Sequence, residues 1–214
     1  MPEPAGEALT PELDGLLRQG IAELQLALPA ETPQKLLDYT ALLHRWNQTF
    51  NLTAVREPAQ MISRHLLDSL AVLPLIGEGR LVDVGSGAGL PGIPLALARP
   101  QQAVVLIDTN GKKTRFMQQA KIALALDNVE VVHNRVQQYR PAETVDIIIA
   151  RAYAGTDDIL ASTRHLHHDN TRILVMQGKR DQVLATPGYG VRAVHAVSVP
   201  GLDAERHVLE IVPR

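Results

Sequence analysis

The sequence predicts an α/β fold, a doubly wound sheet of five parallel strands with an antiparallel hairpin at one edge. Short apolar runs alternate with helical stretches from residue 81 onward, which is typical of a parallel sheet covered on both faces. The last two runs, Ala193–Val199 and His207–Val212, are joined only by Pro200–Arg206, too short for a helical crossover, and so predict the hairpin. The five runs before them are Leu81–Val84, Ala103–Ile107, Val129–Val132, Val145–Ala150 and Ile173–Met176.

Helical periodicity predicts that the chain before the first strand is helical. Thr10-Pro11 and Thr32-Pro33 each place a capping residue before a proline at the first helical position. A third helical stretch is predicted over residues 58–76. The apolar stripe that follows Thr32 includes Trp46 and Phe50, and we expect it to face the core.

Length and composition suit one domain with a helical addition. The chain has 214 residues, of which 45% are hydrophobic, and we expect residues 1–78 to form an N-terminal helical extension packed on a main domain, residues 79–214. The absence of cysteine excludes disulfides, thiolate metal sites and cysteine nucleophiles. No segment resembles a signal peptide or a membrane span, so we expect a cytoplasmic protein that does not cross a membrane.

The charge is unevenly distributed along the chain. The net charge is -2, but residues 1–34 carry -5, so residues 35–214 carry +3. A mildly basic body permits a nucleic-acid surface without demonstrating one, because solvated surface charge is the common explanation.

An acid and three glycines surround the turn after the first apolar run. Gly85, Gly87 and Gly89 allow positive φ angles and close approach of a ligand to the main chain. The third glycine comes one residue earlier than in the dinucleotide fingerprint, and Asp83 would repel a pyrophosphate but bind an ammonium group. Asp108 ends the second run, where an acid accepts ribose hydroxyls. These features favour S-adenosylmethionine over NAD, and a plain strand-to-helix turn with a capping acid is the alternative.

Other segments extend the pattern over nearly the whole chain. They are Trp46-Asn47, Phe50–Arg56, Arg64–Ser69, Asp83–Pro94, Asp108–Lys113, Arg135-Val136, Ile149–Ala152 and Leu202–His207. In this order they resemble the glucose-inhibited division protein B family, which consists of bacterial 16S ribosomal RNA guanine-N7 methyltransferases. The resemblance implies a class I S-adenosylmethionine-dependent methyltransferase, Rossmann-like in fold, that methylates guanine 527 of the 530 loop. Its expected partner is 16S rRNA or the small ribosomal subunit, and we expect a monomer without a metal ion.

The resemblance also implies which residues bind the cofactor. Gln137 departs from the family, which usually has an acid there, so only its main-chain contacts are expected. Arg151 ends the fourth run, where it fits three roles: orienting the cofactor carboxylate, facing RNA or forming an ordinary salt bridge. The expected cofactor-binding residues are Asp83, Gly85, Gly87, Gly89, Leu90, Asp108, Val136, Gln137 and Arg151.

Basic residues near the expected cofactor site suggest an RNA surface. No acid lies between Thr109 and Asp127, so the start of the helix after Asp108 is basic. Arg64 and His65 fit RNA contact and buttressing of the helix–sheet interface equally well. The expected RNA-binding residues are Arg56, Arg64, His65, Lys112, Lys113, Arg115 and Lys179, the last substituting for a family lysine where Gln177 stands here.

Guanine N7 carries an exposed lone pair, so its methylation requires alignment rather than a general base. We therefore predict no catalytic base and treat Arg151, His65 and Asp68 as positioning candidates.

His165, His167 and His168 lack metal-ligand spacing and are expected in a surface loop. Two other functions remain open: a nicotinamide-dependent oxidoreductase, and a ribosome-assembly factor with a vestigial methyltransferase site.

Overall fold

One mixed sheet organises the fold in the computed structural model, which describes residues 10–151, 155–178 and 186–214. Within these residues the strand order is β3-β2-β1-β4-β5-β7-β6. The pairs among β1 to β5 are parallel, and β7 pairs antiparallel with both β5 and β6. The predicted fold class and edge hairpin are thus confirmed. The strands are β1 (Leu81–Val84), β2 (Val104–Asp108), β3 (Val129–His133), β4 (Ile147–Arg151), β5 (Arg172–Gln177), β6 (Tyr189–Ala196) and β7 (His207–Pro213).

The central strands are apolar because both of their faces are covered. Every residue of β1 and β2 is buried, and alternate side chains belong to different apolar clusters on the two sides of the sheet. Leu81 and Leu106 join the cluster that includes the N-terminal helices, whereas Val82 and Val105 join the cluster on the other face. Edge strand β3 buries only Val129. A strand covered on both faces must be continuously apolar, which explains the predictive runs.

Helices cover both faces of the sheet. Within the described residues they are α1 (Pro11–Glu23), α2 (Thr32–Phe50), α3 (Pro58–Met61), α4 (Asp68–Leu70), α5 (Gly92–Ala98), α6 (Gly111–Ala123) and α7 (Thr156–Thr163). A π-helical segment, Ile62–Leu67, joins α3 to α4, and short 3₁₀ turns occur at Leu73–Leu75, Val136–Gln138 and Arg164–Leu166. None of the helices in the described ranges has the length and apolarity needed to span a bilayer.

Two predictions about the helices are wrong in detail. Thr32 does not cap α2 from outside, because the helix begins at Thr32 itself with Glu31 at the N-cap. The buried Thr32 hydroxyl instead donates to the Leu97 carbonyl at 3.0 Å, which ties the start of α2 to the end of α5. The continuous helix expected over residues 58–76 is interrupted by the π-helical segment, in which one extra residue per turn displaces the side chains that follow.

The N-terminal helices and the sheet share a core. Leu17, Leu36 and Leu66 lie in the same apolar cluster as Leu81 and Leu106. Hydrogen bonds from Arg151, at the end of β4, to Arg64 and Asp68 place the π-helical segment beside the carboxyl edge of the sheet. The division at residues 78 and 79 stays a prediction.

Candidate active site

The glycine turn after β1 takes the left-handed backbone that its sequence predicts. Gly85, Gly87 and Gly89 have φ angles of 69°, 61° and 83°. The N–H groups of Gly85 and Ser86 both donate to the Ile107 carbonyl, at 2.9 and 3.1 Å, which holds the turn against the end of β2. Without Cβ atoms at the three glycines, main chain lines the carboxyl edge of the sheet.

Two glycines near this turn are required by packing. A Cβ on Gly89 would overlap the Ile93 side chain, and one on Gly92 would overlap Leu106. Gly92 therefore brings the start of α5 close to β1, where its N–H reaches Asp83. Gly92 lies within the segment that resembles the family, but the sequence did not mark it as a site residue.

Asp108 ends β2 with both carboxylate oxygens in hydrogen bonds. Its Oδ2 accepts from Gly87 N–H at 2.9 Å and its Oδ1 from Asn110 N–H at 2.8 Å. A carboxylate has about four lone-pair positions, so further acceptor capacity remains. A cavity of about 300 Å³ lies beside these groups. It is lined by Val84, Gly85, Ile107, Asp108, Thr109, Asn110, Lys113, Asn134 and Val136.

Asp83 is fully buried next to the same turn. Its Oδ2 accepts from Gly92 N–H at 2.9 Å, while its Oδ1 has no hydrogen-bond partner among the described residues. Burial raises the pKa of Asp83 to about 7, although the Gly92 hydrogen bond and the Arg151 charge oppose the shift. A buried carboxylate oxygen without a partner is suited to a cationic ligand.

Three further residues expected at the cofactor differ in their exposure. Val136 is 2% exposed and lines the cavity. Gln137 is exposed, and its carbonyl accepts from Arg140 Nη1 at 2.8 Å. Leu90 is buried in the apolar core, so it supports the turn from behind.

The basic start of α6 lies at the cavity. The side chain of Asn110 caps this helix, accepting from the N–H groups of Lys112 and Lys113 at 2.9 and 3.4 Å. Lys113 lines the cavity, whereas Lys112 is exposed. Arg115 is exposed and its Nε donates to the Gly111 carbonyl at 3.0 Å. The structure thus brings this part of the predicted RNA surface beside the predicted cofactor site.

Asp68 joins three parts of the chain through two arginines. It is 5% exposed, and its Oδ2 and Oδ1 lie 3.0 Å from Arg151 Nη1 and Arg206 Nε, respectively. Arg151 Nη1 also donates to the Arg64 carbonyl at 3.3 Å. Arg151 therefore forms a salt bridge at the end of β4, one of its three predicted roles. Sequence reasoning did not select Arg206, although it lies in the family-like segment Leu202–His207.

His65 packs inside the π-helical segment. It is 7% exposed, and its Nε2 shares a hydrogen bond of 2.8 Å with Thr53 Oγ1. Burial, together with the Arg151 charge, lowers the pKa of His65 to about 4, so the ring is neutral at pH 7. Of the two roles left open by the sequence, these contacts favour buttressing.

The remaining predicted RNA-binding residues take different positions. Arg56 is exposed and donates to the Asn47 carbonyl at 3.2 Å and to Asn51 Oδ1 at 2.6 Å, at the end of α2. Arg64 is exposed on the π-helical segment. Lys179 lies outside the described residues.

The histidines after α7 form hydrogen bonds with other groups of the protein. His165 Nε2 lies 3.0 Å from the Tyr139 carbonyl, and His167 contacts both Thr163 Oγ1 and the Tyr189 hydroxyl. His167 is half-buried, and burial lowers its pKa to about 4. Among the residues that the structure describes, no three His, Cys, Asp or Glu side chains are grouped as metal ligands.

A larger cavity of about 830 Å³ lies at the opposite edge of the sheet. Arg80 pairs there with Glu143 at 3.1 Å, although its Nε has no hydrogen-bond partner among the described residues, and Arg99 donates to the Gly77 carbonyl at 3.0 Å. Open α/β sheets bind ligands outside the carboxyl ends of their strands. The smaller cavity at Asp108 is therefore the candidate site.

Comparisons with known proteins find relatives over most of the chain. The profile of the GidB family, described as rRNA small subunit methyltransferase G, matches residues 32–209. Ribosomal RNA small subunit methyltransferase G of Pseudomonas syringae pv. syringae is 47% identical over 204 residues, 94% of this chain and 95% of that protein. The corresponding protein of Pseudomonas aeruginosa (strain LESB58) is 47% identical over 197 residues, 90% of this chain and 92% of its own length.

Solved structures show the same fold. A SAM-dependent methyltransferase from Aquifex aeolicus matches with a TM-score of 0.56 and 19% identity, covering 73% of this chain and 94% of that one. A SAM-dependent methyltransferase from Thiobacillus denitrificans matches with a TM-score of 0.50 and 14% identity, covering 69% and 90%. The chain thus has the class I methyltransferase fold and belongs to the GidB family, rRNA small subunit methyltransferase G.

Proposed function

We propose that the chain transfers the methyl group of S-adenosylmethionine to N7 of a guanine in 16S rRNA, guanine 527 of the 530 loop. The observation that carries the proposal is the cavity between the glycine turn and Asp108 in a chain of this family. The finer assignment, the N7 atom and the nucleotide, rests on the resemblance of the motifs around that cavity.

The residues at the cavity suit the chemical parts of S-adenosylmethionine. Asp108 has lone pairs left for the two ribose hydroxyls, and Val136 supplies an apolar surface for the adenine. Asp83 Oδ1 is an unpaired acceptor for the ammonium group, and the bare main chain of Gly85 and Gly87 admits the methionine part. The fold relative from T. denitrificans is described as a complex with S-adenosyl-L-homocysteine.

The reaction requires little acid–base chemistry from the protein. When bound, S-adenosylmethionine would supply an electrophilic methyl group to the lone pair of guanine N7. Because this nitrogen carries no proton, the chain needs no residue to remove one. The chain's part is to align the two atoms in a site with little water.

The contacts of Asp68 and His65 are consistent with a reaction that needs alignment rather than a base. Both carboxylate oxygens of Asp68 are occupied by arginines, and His65 is buried and bonded to Thr53. Both side chains are buried, Asp68 is paired with two cations and the pKa of His65 is lowered, so we assign neither as a base. We assign them to holding the π-helical segment, and we assign Arg151 to positioning the base or the cofactor at the end of β4.

The RNA contacts follow from charge and position. Lys112 and Lys113 lie at the start of α6, where Lys113 lines the cavity, and Arg56 and Arg64 are exposed in the helical part of the chain. We infer that these four side chains bind phosphates, with an affinity that falls as salt concentration rises. We also infer a monomer that works in the cytoplasm without a metal ion, since the groups required for alignment come from one chain.

Methyl transfer to ribosomal RNA tests the proposal. The purified protein and S-adenosylmethionine are incubated with 16S rRNA, free or in small subunits, from cells that lack the protein, and the product is mapped by mass spectrometry. We expect one new N7-methylguanosine at guanine 527. Cofactor binding without transfer to either substrate would indicate an assembly factor, and tight binding of NADH without S-adenosylmethionine binding would indicate an oxidoreductase.

Arg151→Ala tests the assignment at the end of β4. We expect sharply lower methylation by a protein that still folds, with a free energy of unfolding lower by about 1–3 kcal/mol because buried Asp68 keeps only Arg206. Normal methylation by the folded variant would remove Arg151 from the site.

A further inference from the structure

Trp46 and Phe50 form an aromatic surface at the end of α2. Their ring centroids are 5.2 Å apart, and Trp46 also packs edge-on against Phe116 of α6 at 5.7 Å. Phe116 is fully buried, Trp46 is half-buried and Phe50 is 36% exposed. The expectation that the whole apolar stripe of α2 faces the core is therefore wrong at Phe50.

Contacts along α2 place this surface beside the candidate site. The helix begins at the Leu97 carbonyl, which lies at the end of α5, and the Tyr39 hydroxyl then donates to the Ala88 carbonyl in the glycine turn at 2.7 Å. Phe50 lies three helical turns beyond Tyr39, so the end of α2 extends past the carboxyl edge of the sheet. The aromatic surface therefore lies at the carboxyl-edge end of α2, where Phe50 reaches the protein surface.

The two helices that form the aromatic contacts, α2 and α6, each have a basic residue near the end closest to this surface. Lys112 and Phe116 are one turn apart on the same face of α6, so Lys112 lies towards the end of α2 that bears Phe50. Arg56 is bonded to the end of α2 itself. Moreover, no acid occurs in the sequence between Asp38 and Glu57 or between Asp108 and Asp127. The surroundings therefore favour a polyanionic partner.

We propose that Trp46 and Phe50 are the platform on which an unpaired base of the RNA substrate stacks, with Lys112 and Arg56 on the neighbouring phosphates. An exposed aromatic ring flanked by cations is the arrangement with which proteins bind single-stranded nucleic acid, because every base has a face that can stack. The inference rests on the proposed function, and it adds the contact that holds the RNA loop open beside the cofactor.

The sequence supplies a built-in reporter for this contact. Trp46 is the single tryptophan of the chain, so its fluorescence reports on this surface alone. A synthetic RNA hairpin with the 530-loop sequence is titrated into protein saturated with S-adenosylmethionine. We expect quenching of Trp46 by the hairpin, and no quenching by a fully paired duplex of equal length, since its bases are not available for stacking.

Variants of Phe50 separate stacking from apolar contact. Phe50→Leu keeps an apolar side chain without a ring and should weaken hairpin binding by about 5- to 100-fold, the effect of removing one stacked aromatic ring. Phe50→Tyr keeps the ring and should retain nearly the original affinity. Ile122→Ala removes another exposed apolar side chain, 73% exposed on the last turn of α6, and should have no effect. Cofactor affinity and thermal unfolding should be equal in all variants.

The outcomes distinguish this inference from the proposed function. If Phe50→Leu binds the hairpin normally and Trp46 is not quenched while methylation proceeds, the stacking platform is wrong and the proposed function stands. If the hairpin quenches the fluorescence of Trp46 and Phe50→Leu weakens hairpin binding, but no methyl group is transferred, the platform stands and the proposed function fails. A Phe50-dependent dimer in light scattering, with unchanged RNA affinity, would overturn the platform in favour of a contact between copies.

Discussion

Asp83→Asn removes a charge that the fold buries completely. The pKa of Asp83 rises from 3.8 to about 7 on folding. At about 1.36 kcal/mol per pH unit, ionisation of Asp83 costs the folded protein about 4 kcal/mol at pH 8. Asparagine still accepts from Gly92 N–H, but its amide N–H groups lack partners, which costs ~1–3 kcal/mol. We therefore expect the cofactor-free variant to be more stable than the original protein at pH 8 by about 1–3 kcal/mol.

The pH dependence gives a second signature. A raised acid pKa means that the folded state binds more protons than the unfolded state between pH 4 and pH 7. Asp83 therefore contributes a fall in stability as pH rises through this window, opposite to the rise that buried His65 and half-buried His167 contribute, so the stability of Asp83→Asn relative to the original protein should increase with pH. Cofactor affinity should change the opposite way, because ionised Asp83 attracts the ammonium group: the variant should bind S-adenosylmethionine more weakly, and more so at pH 8 than at pH 6.

Urea unfolding of the cofactor-free protein from pH 4.5 to pH 8.5 measures the stabilities, and calorimetry measures cofactor binding. Asp127→Asn, at an exposed acid, is the control and should leave both curves in place. If the stability of Asp83→Asn depends on pH in the same way as that of the original protein, the buried charge of Asp83 does not contribute to this pH dependence. If the variant binds cofactor equally well at pH 8, Asp83 does not face the ammonium group.

Three further predictions concern the turn, the arginine pair and the RNA surface. Gly89 has a φ of 83° and no space for a Cβ, so Gly89→Ala should lower the free energy of unfolding in urea by about 1–3 kcal/mol. Gly15→Ala, in open space on α1, is the control and should raise the free energy of unfolding by up to about 1 kcal/mol. Equal effects of the two substitutions would contradict the geometry. Arg206→Ala should cost about 1–3 kcal/mol in the same assay, because it leaves buried Asp68 with one cation, and Arg206→Lys should recover part of the loss. Lys112→Ala should reduce the slope of log affinity for RNA against log salt by about one; an unchanged slope would place Lys112 outside the phosphate contacts.

Local signals in the sequence account for most of the fold. A strand covered on both faces is mostly apolar, so the runs at β1, β2 and β4 could be recognised from the sequence, with Asp83 and Asp108 as buried polar exceptions. The turn could be recognised for a similar reason, because glycine, without a Cβ, permits the positive φ angles found at Gly85 and Gly87. The glycine turn alone predicts a cofactor site but no substrate. The segments that resemble the family indicated which activity to test.

Other features depend on contacts between distant segments. Asp68 meets Arg151 and Arg206 across 83 and 138 residues, and no local pattern marks such a pairing. The π-helical segment around His65 also lacked a signal, since an amphipathic stripe is compatible with an uninterrupted helix. Packing of the helices against the sheet decides both.

The sequence by itself therefore determined the strand order along the chain, the glycine turn with Asp108 and the basic start of α6, because each depends on neighbouring residues. Only the tertiary structure decided that Asp83 is buried with one oxygen unpaired, and that Phe50 lies at the surface rather than in the core. Burial is a property of the assembled elements: α2 extends past the edge of the sheet that covers its first turns, so the same apolar stripe is core at Leu36 and exposed at Phe50.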